Sequence, residues 1–230
     1  MLWQESTEAS NYIVPDDIVD LSYRIECREL PIDHAWSLNA AIQEALPWIG
    51  TEPEAGIHSI HGASSGNGWE RPPHLPDGLL QLSRRTRMYL RLPKHRLHDA
   101  QALVGLNLDL GGFHITVGES QIRALVPATT VFSRSVHSSN TDDEAIFERE
   151  VIDLLAQQEI KVSKMLCGLA HDLTTPESKL RVRSILLAEL EPADSIALQQ
   201  RGLGQNRRLG CGIFLPHKSL AAMGASQDRE

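Results

Sequence analysis

The order of strand-like and helix-like segments constrains the fold of this chain more than any other feature of the sequence. Alternating apolar residues indicate strands, and apolar residues three or four positions apart indicate helices. The segments of the first half are 18–28 (strand), 30–48 (helix, with Asp33 as its expected cap), 79–83 and 87–93 (strands expected to pair as a hairpin across Arg84 and Arg85), 94–106 (helix) and 113–119 (strand). The stretch 61–78 is rich in Gly, Pro and Ser, which predicts a loop.

The same order returns in the second half. Its segments are 121–137 (strand), 141–158 (helix), 161–170 and 179–190 (strands), 191–200 (helix) and 211–217 (strand). A β-α-β-β-α-β order is typical of the ferredoxin-like arrangement. We therefore expect an α+β fold of two tandem ferredoxin-like domains, residues 1–120 and 121–230, joined near residues 119–126.

The composition predicts a soluble cytoplasmic protein. The N-terminus has neither the basic nor the apolar region of a signal peptide, and no apolar run approaches the roughly 18 residues that a membrane span needs. The three cysteines (Cys27, Cys167 and Cys211) are odd in number and widely spaced, which favours reduced thiols over a disulfide framework or a zinc site. We expect no metal, no cofactor and no membrane partner.

The net charge of −8 conceals separate basic regions. Residues 71–98 hold seven basic residues and one acidic residue, and residues 160–218 hold nine basic and five acidic residues. In two strands cationic side chains alternate with apolar ones, so each strand would have an apolar face for a core and a cationic face for a ligand. A cationic face that contains a tyrosine suits phosphates and bases; the alternative is a set of ordinary solvated faces. The residues are Arg85, Arg87, Tyr89 and Arg91 in the first strand and Lys179, Arg181 and Arg183 in the second.

Residues 202–214, GLGQNRRLGCGIF, contain two Gly-x-Gly pairs with two arginines between them. Glycine-rich turns can bind phosphate because bare backbone N–H groups approach it closely. Neither common nucleotide-binding motif fits. No Gly-Lys-Ser/Thr triplet opens a helix, as a P-loop requires, and the third glycine position of a dinucleotide fingerprint is Arg207. The loop also follows a helix and precedes a strand, which is the reverse of the dinucleotide-binding order.

Two Gly-hydrophobic-Gly pairs about five residues apart, between the last helix and the last strand, resemble the C-terminal signature of the Cas6 family of CRISPR-associated endoribonucleases. The stretches GIFLPHK and LPIDHAWSL are similar to the myxobacterial-type subgroup of that family. The motif covers the last tenth of the chain, and the doubled topology extends the resemblance to nearly all of it. The residues expected to bind RNA are Arg84, Arg85, Arg87, Arg91, Lys179, Arg181, Arg183, Gly202, Gly204, Arg207, Arg208, Gly210, Gly212 and Lys218.

The resemblance implies cleavage of precursor CRISPR RNA without metal. The 2′-hydroxyl attacks the adjacent phosphorus and leaves a 2′,3′-cyclic phosphate and a 5′-hydroxyl, which requires a base, an acid and a cation or donor for the phosphorane. Histidine suits the first two roles. His34, at the start of the first helix, is the first candidate, although it could also be a core or capping histidine; His58 and His61 are lesser candidates.

The resemblance also implies partners, namely CRISPR repeat RNA and other subunits of a CRISPR effector complex. Two other functions compete with the nuclease. One is the same fold without cleavage, holding RNA in such a complex. The other is a ferredoxin-like small-molecule enzyme or regulator, which the paired cationic strands disfavour because a small ligand would need a single polar pocket.

Overall fold

The computed structural model describes residues 12–61, 78–139 and 141–217, which form eleven strands and four α-helices in these ranges. The strands of the first half are β1 (Ile18–Glu26), β2 (Glu29–Pro31), β3 (Gly56–Ile57), β4 (Leu79–Gln81), β5 (Arg87–Pro93), β6 (Asn107–Asp109) and β7 (His114–Arg123). Its helices are α1 (Ala35–Ala45) and the short α2 (Leu97–Ala100), with 3-10 turns at Pro47–Gly50, Lys94–Arg96 and Gln101–Leu103.

The main sheet of the first half has the order β3-β5-β1-β7-β6, and all its strand pairs are antiparallel. If β1, β3, β5 and β7 are numbered one to four along the chain, their order across the sheet is four-one-three-two. Strands β2 and β4 form a separate two-stranded sheet.

The second half repeats this arrangement. Its elements are β8 (Thr130–His137), α3 (Glu144–Gln157), β9 (Lys164–Thr174), β10 (Lys179–Ala188), α4 (Pro192–Arg201), a 3-10 turn at Arg207–Leu209 and β11 (Leu215–Pro216). The sheet order is β11-β8-β10-β9, which is again four-one-three-two. The result is a mixed α+β fold in which one strand order occurs twice.

Alternation along the strands builds the core of the first half. Leu21, Tyr23 and Ile25 are buried on one face of β1. Helix α1 covers this face with Leu38 and Ile42, which lie one helical turn apart. A fully buried side chain of this size contributes roughly 1.5–3 kcal/mol. The other face of the sheet is left for polar residues, and part of it is directed at the second half.

An apolar cluster joins the two halves. It contains Ala35 at the start of α1, Leu173 and Val182 of the second sheet, and Leu209 and Cys211 near the end of the chain. The segment between α4 and β11 therefore packs into the junction between the halves.

The expected hairpin between residues 79–83 and 87–93 is wrong in its pairing. Strand β4 pairs with β2, whereas β5 pairs with β1 on one side and β3 on the other. Both edges of β5 are therefore occupied by other strands. The helix expected at 94–106 is a succession of short helical turns that ends at Leu103.

Two boundaries also differ from the sequence-based expectation. Residue His34, not Asp33, is the N-cap of α1, and it makes no side-chain cap bond. The Asp33 carboxylate instead accepts a hydrogen bond of 2.8 Å from the backbone N–H of Thr174 in the second half. Strand β7 pairs with β1 as far as Arg123, so residues 121–123, expected to open the second half, belong to the first sheet. The loop expected at 61–78 lies mostly outside the described residues.

Candidate nucleic-acid interface

A cleft of about 300 Å³ lies where the end of β3, strand β5, strand β8 and the last loop of the chain meet. We call it the central cleft. Its lining residues are His58, Ser59, His61, Ser83, Arg85, Thr86, Arg87, Tyr89, Phe132, Arg134, Gly210, Ile213 and Leu215. Three arginines and two histidines are thus combined with two aromatic rings, Tyr89 and Phe132, that can contact bases, and none of these described lining residues is acidic. A groove of this kind attracts polyanions.

The polar face of the first sheet positions His58 and Tyr89 in this cleft. The backbone N–H of His58 donates a hydrogen bond of 3.1 Å to the carbonyl oxygen of Tyr89, which continues the pairing of β3 with β5. The two rings are 5.7 Å apart between centroids. Residues 87 and 89 are two positions apart on β5, so Arg87 and Tyr89 share one face.

A buried network of Asp20, His58 and Arg91 lies at the floor of this face. His58 Nε2 is 3.2 Å from Asp20 Oδ1, and Arg91 donates from Nε and Nη2 to the two Asp20 oxygens at 2.8 and 2.9 Å. Burial disfavours the charged Asp20, but His58 and Arg91 outweigh that effect and hold the pKa of the carboxyl well below its usual range. Burial lowers the pKa of His58, although Asp20 acts in the opposite direction.

Arg91 also connects the two halves. Its Nη1 donates at 2.8 Å to the carbonyl oxygens of Gln199 in α4 and Phe214 beside β11. The side chain has no exposed surface. The structure thus places this arginine, expected to contact RNA, inside the protein, because the second half covers this end of the cationic face.

His34 is enclosed by backbone groups. Its Nδ1 lies 2.8 Å from the carbonyl oxygen of Pro31, and its Nε2 accepts a hydrogen bond of 3.0 Å from the N–H of Ile60. This pattern assigns the imidazole as neutral with its proton on Nδ1. Only 3% of the residue is exposed. His34 therefore ties the start of α1 to the segment between His58 and His61, while His61 itself is exposed at the cleft.

The glycine loop, residues 202–214, has a backbone that excludes other side chains. Gly202 and Gly212 have φ values of 69° and 64°, in the left-handed region. The N–H of Leu203 donates to the carbonyl oxygen of Gly212 across the loop at 3.1 Å. A β-carbon at Gly212 would overlap the backbone of Leu203, and one at Gly202 would lie 2.5 Å from the Gly212 oxygen. Close packing of the loop on itself thus requires these glycines; Gly204 and Gly210 also have positive φ, and Gly210 lines the cleft.

The two arginines of the glycine loop bind backbone carbonyls. Arg207 Nη1 donates to Gln200 and Arg201 at the end of α4, and Arg208 Nη1 donates to Gly50 in the first half. Burial, and then the charge of Arg91, lower the pKa of Arg207 to about 10. Its Nε and Nη2 are buried and have no hydrogen-bond partner within the described part of the chain. The structure therefore does not bring either arginine into the lining of the central cleft.

The arginines of β10 are also engaged within the protein. Arg183 is buried and donates to Glu144 at 2.7 Å. Arg181 forms ion pairs with Asp142 at 2.7 Å and Asp172 at 3.1 Å. A register shift between Arg183 and Ile185 interrupts the simple alternation of this strand. Lys179 is exposed, and Lys218 lies outside the described residues.

The central cleft thus unites Arg85, Arg87, His58, His61 and Gly210 from the sequence-based candidates. Arg84, next to Arg85 in the turn before β5, is also exposed but lines a different concave surface. Sequence reasoning missed Arg134, which comes from β8 in the second half. The alternation along β8 could have indicated it, since Phe132 and Arg134 are two positions apart on one strand and therefore share a face.

Across residues 12–61, 78–139 and 141–217, no group of three or more His, Cys, Asp or Glu residues is placed so that it could hold a metal ion. No helix in the same ranges is long and apolar enough to cross a membrane.

The fold and the cleft define a class of α+β proteins with two sheets of equal strand order and a basic groove between them. Residues 19–219 match the family model described as Cas6 Crispr. The chain therefore belongs to the Cas6 family.

Individual proteins of this family are similar along most of the chain. The CRISPR-associated endonuclease Cas6 of Myxococcus xanthus (strain DK1622) is 29% identical over 202 residues, which are 86% of this chain and 81% of that protein. The solved structure of a Cas6-related gene product from Pyrococcus furiosus has a TM-score of 0.59 at 13% identity and covers 88% of this chain and 99% of its own. A CRISPR associated protein Cas6 has a TM-score of 0.58 at 10% identity, with coverage of 87% and 100%. These structures show a shared fold.

Proposed function

We propose that this protein is a metal-independent endoribonuclease that cleaves precursor CRISPR RNA within its repeats and so generates guide RNAs. The observation that carries the proposal is the central cleft, where Arg85, Arg87 and Arg134 line the same surface as His58 and His61, without an acidic residue among the described lining side chains. Membership of the Cas6 family, and similarity to a relative named an endonuclease, support it. Association with other effector-complex subunits stays a prediction.

We infer that each half is a ferredoxin-like domain. The repeated strand order four-one-three-two, with one helical segment after the first strand and one after the third, supports this interpretation. Two such domains side by side would create a groove between them, and residues of both halves line the central cleft, which supports this interpretation.

The proposed reaction is a transesterification within the RNA, in which the phosphoryl group moves from the 5′-oxygen to the neighbouring 2′-oxygen. A base takes the proton of the 2′-hydroxyl, whose oxygen bonds to the adjacent phosphorus while the bond to the 5′-oxygen breaks. An acid gives a proton to that 5′-oxygen, so the products are a 2′,3′-cyclic phosphate and a 5′-hydroxyl. Cationic groups stabilise the phosphorane between these steps.

Geometry supports His58 as the base and His61 as the acid. The Asp20 carboxylate accepts from His58 Nε2–H, which leaves Nδ1 as the basic nitrogen, and burial lowers the His58 pKa so that the ring is neutral at pH 7. His61 is exposed at the same cleft. Arg87 and Arg134 supply positive charge for the phosphorane. His34, in this proposal, positions the His58–His61 segment through its bond to Ile60.

The test is single-turnover cleavage of the repeat RNA transcribed from the same genome. We expect cleavage in excess chelator, a cyclic phosphate end, and no cleavage when the sugar just upstream of the cut is 2′-deoxy. His58→Ala and His61→Ala should each slow the reaction by about 10²- to 10⁴-fold, while binding of the uncut RNA remains because proton transfer matters only in the transition state.

His98→Ala is the matched control, since the His98 side chain is 99% exposed on the short helix α2. Chelator-sensitive cleavage, or cleavage of the deoxy substrate, would contradict the mechanism. Tight binding of repeat RNA without any cleavage would instead identify an RNA-binding subunit.

A further inference from the structure

A second concave surface adjoins the central cleft. It has a volume of about 510 Å³ and is lined by Arg24, Ile25, Glu26, Cys27, Arg28, Leu82 and Arg84. The turn at Ser83–Thr86 joins the two surfaces, since Arg85 lines the central cleft and Arg84 lines the second surface. Neighbouring arginines of one turn are therefore divided between two concave surfaces.

The turn is held in one shape by its own hydrogen bonds. The N–H of Thr86 donates to the carbonyl oxygen of Ser83 at 2.9 Å, and the N–H of Ser83 donates to Thr86 Oγ1 at 3.2 Å. The N–H of Arg85 donates to Ser83 Oγ at 3.2 Å. Arg84 and Arg85 are both exposed, so a hydrogen-bonded turn presents one cation to each of the two surfaces.

Two like charges lie opposite each other on β1 and β5, where β5 begins beside the Ser83–Thr86 turn. Arg24 of β1 and Arg87 of β5 are directly opposite each other in the antiparallel register. Like charges in this position destabilise a sheet. No ion pair among the described residues includes Arg24, Arg28 or Arg84. The repulsion between Arg24 and Arg87 is thus unfavourable for the protein alone. An anion that binds both side chains would turn this repulsion into a net attraction.

We propose that Arg24, Arg28 and Arg84 bind the phosphate backbone of the same RNA strand after it leaves the central cleft and crosses the Ser83–Thr86 turn. This inference rests on the proposed function, because it takes the ligand of the central cleft to be RNA. A polymer with a charge at every unit fits two basic surfaces joined by a basic turn. Glu26 is the only acidic residue in the described lining, so the second surface keeps a net positive charge.

The test measures salt-dependent binding of a labelled single-stranded oligouridylate by the Arg24→Gln/Arg28→Gln variant. Each phosphate contact to a single strand contributes about 0.7 to the slope of log affinity against log salt. The slope should become shallower by about 1.4, so the advantage of the unaltered protein should shrink about sevenfold between 50 and 200 mM salt.

Arg149→Gln/Lys161→Gln is the matched control. It removes two exposed positive charges from the second half, and it should leave the slope unchanged. Equal slopes for the Arg24→Gln/Arg28→Gln variant and the unaltered protein would overturn the inference, and so would an equal loss in the control. If the Arg24→Gln/Arg28→Gln variant lost binding to oligo-glutamate while its RNA binding was unchanged, the inference would be overturned, and the ligand of the second surface would be an acidic protein segment. Failure of the proposed function would be seen separately, as intact repeat RNA in the cleavage assay with the unaltered protein.

Discussion

The two ends of strand β5 carry the same residue type in opposite environments. Arg91 is completely buried, and Asp20 and two backbone carbonyls of the second half accept its hydrogen bonds. Arg87, four residues earlier on the same face, lines the central cleft, and its register partner Arg24 is exposed. Strand alternation determines the face on which a side chain lies. What covers that face decides whether the arginine stabilises the fold or is available to a ligand.

Removal of the buried arginine should have the largest effect on stability. Arg91→Met leaves Asp20 in the interior without its bidentate partner, and breaking a buried ion pair in this way costs about 3–5 kcal/mol. Urea unfolding measures the cost, and Arg87→Met, at the open end of the strand, should cost less than about 0.5 kcal/mol. Asp20→Asn combined with Arg91→Met should be more stable than Arg91→Met alone. Equal stability of the two arginine variants would show that the two ends of β5 do not differ.

His34 should show the next largest effect. His34→Ala removes two hydrogen bonds to backbone groups and leaves the Ile60 N–H without its acceptor, which should cost about 1–3 kcal/mol in the free energy of unfolding. Cleavage should fall along with stability. His61→Ala should slow cleavage at unchanged stability, because His61 is exposed. A stable His34→Ala protein that binds RNA and does not cleave it would make His34 the proton-transfer residue.

The buried network should make stability depend on pH. Since burial lowers the pKa of His58, the unfolded chain binds a proton below about pH 6.5 that the folded chain does not bind. Stability therefore falls as the pH is lowered from 6.5, by up to about 1.4 kcal/mol per pH unit, until the pH reaches the folded pKa. The lowered pKa of Asp20 adds a loss of the same sign only below about pH 4.

Urea unfolding at a series of pH values checks this dependence. His58→Asn should flatten the curve between pH 7 and 5, and His98→Asn, at the exposed histidine, should leave it unchanged. An unaltered slope in His58→Asn would mean that His58 titrates alike in the folded and unfolded states.

Substitutions in the central cleft, at the open end of β5, should have the smallest effect on stability and a clear effect on RNA binding. Arg87→Gln with Arg134→Gln should change stability by less than about 0.5 kcal/mol per site and make the salt slope for RNA about 1.4 shallower. Arg207→Gln with Arg208→Gln should have the reverse pattern, since both side chains bind carbonyl oxygens of the protein. A shallower slope in this second variant would place the glycine-loop arginines on the RNA after all.

Local patterns predicted most of the long elements, but the second strand expected in the first half, residues 79–83, is β4, which pairs with β2 outside the main sheet. The strand and helix order was read from periodicity in both halves, and the capped helix in the second half is present, with Asp143 accepting from the N–H of Ile146 at 3.1 Å. The sequence also singled out Arg84, Arg85, His58 and His61 as candidates, but it did not show that both histidines line one cleft.

Contacts between distant segments could not be predicted in this way. The bond between His34 and Ile60 joins residues 26 apart, and the pairing of β4 with β2 bridges a long loop. The cover over Arg91 comes from residues more than 100 positions away. Arg134 lines the central cleft only because β8 of the second half lies beside β5 of the first half at this place. Such features depend on tertiary packing, which periodicity within a short window does not contain.

The long sequence separation between Arg91 and its carbonyl partners also has a consequence for how the chain folds during synthesis. Its carbonyl partners follow it by 108 and 123 residues. When the first half leaves the ribosome, the charges of Asp20 and Arg91 have each other but lack the surface that will bury them. Long-range contacts of this kind slow folding, and exposed intermediates invite aggregation. The first half is therefore completed only after residue 214 has been made.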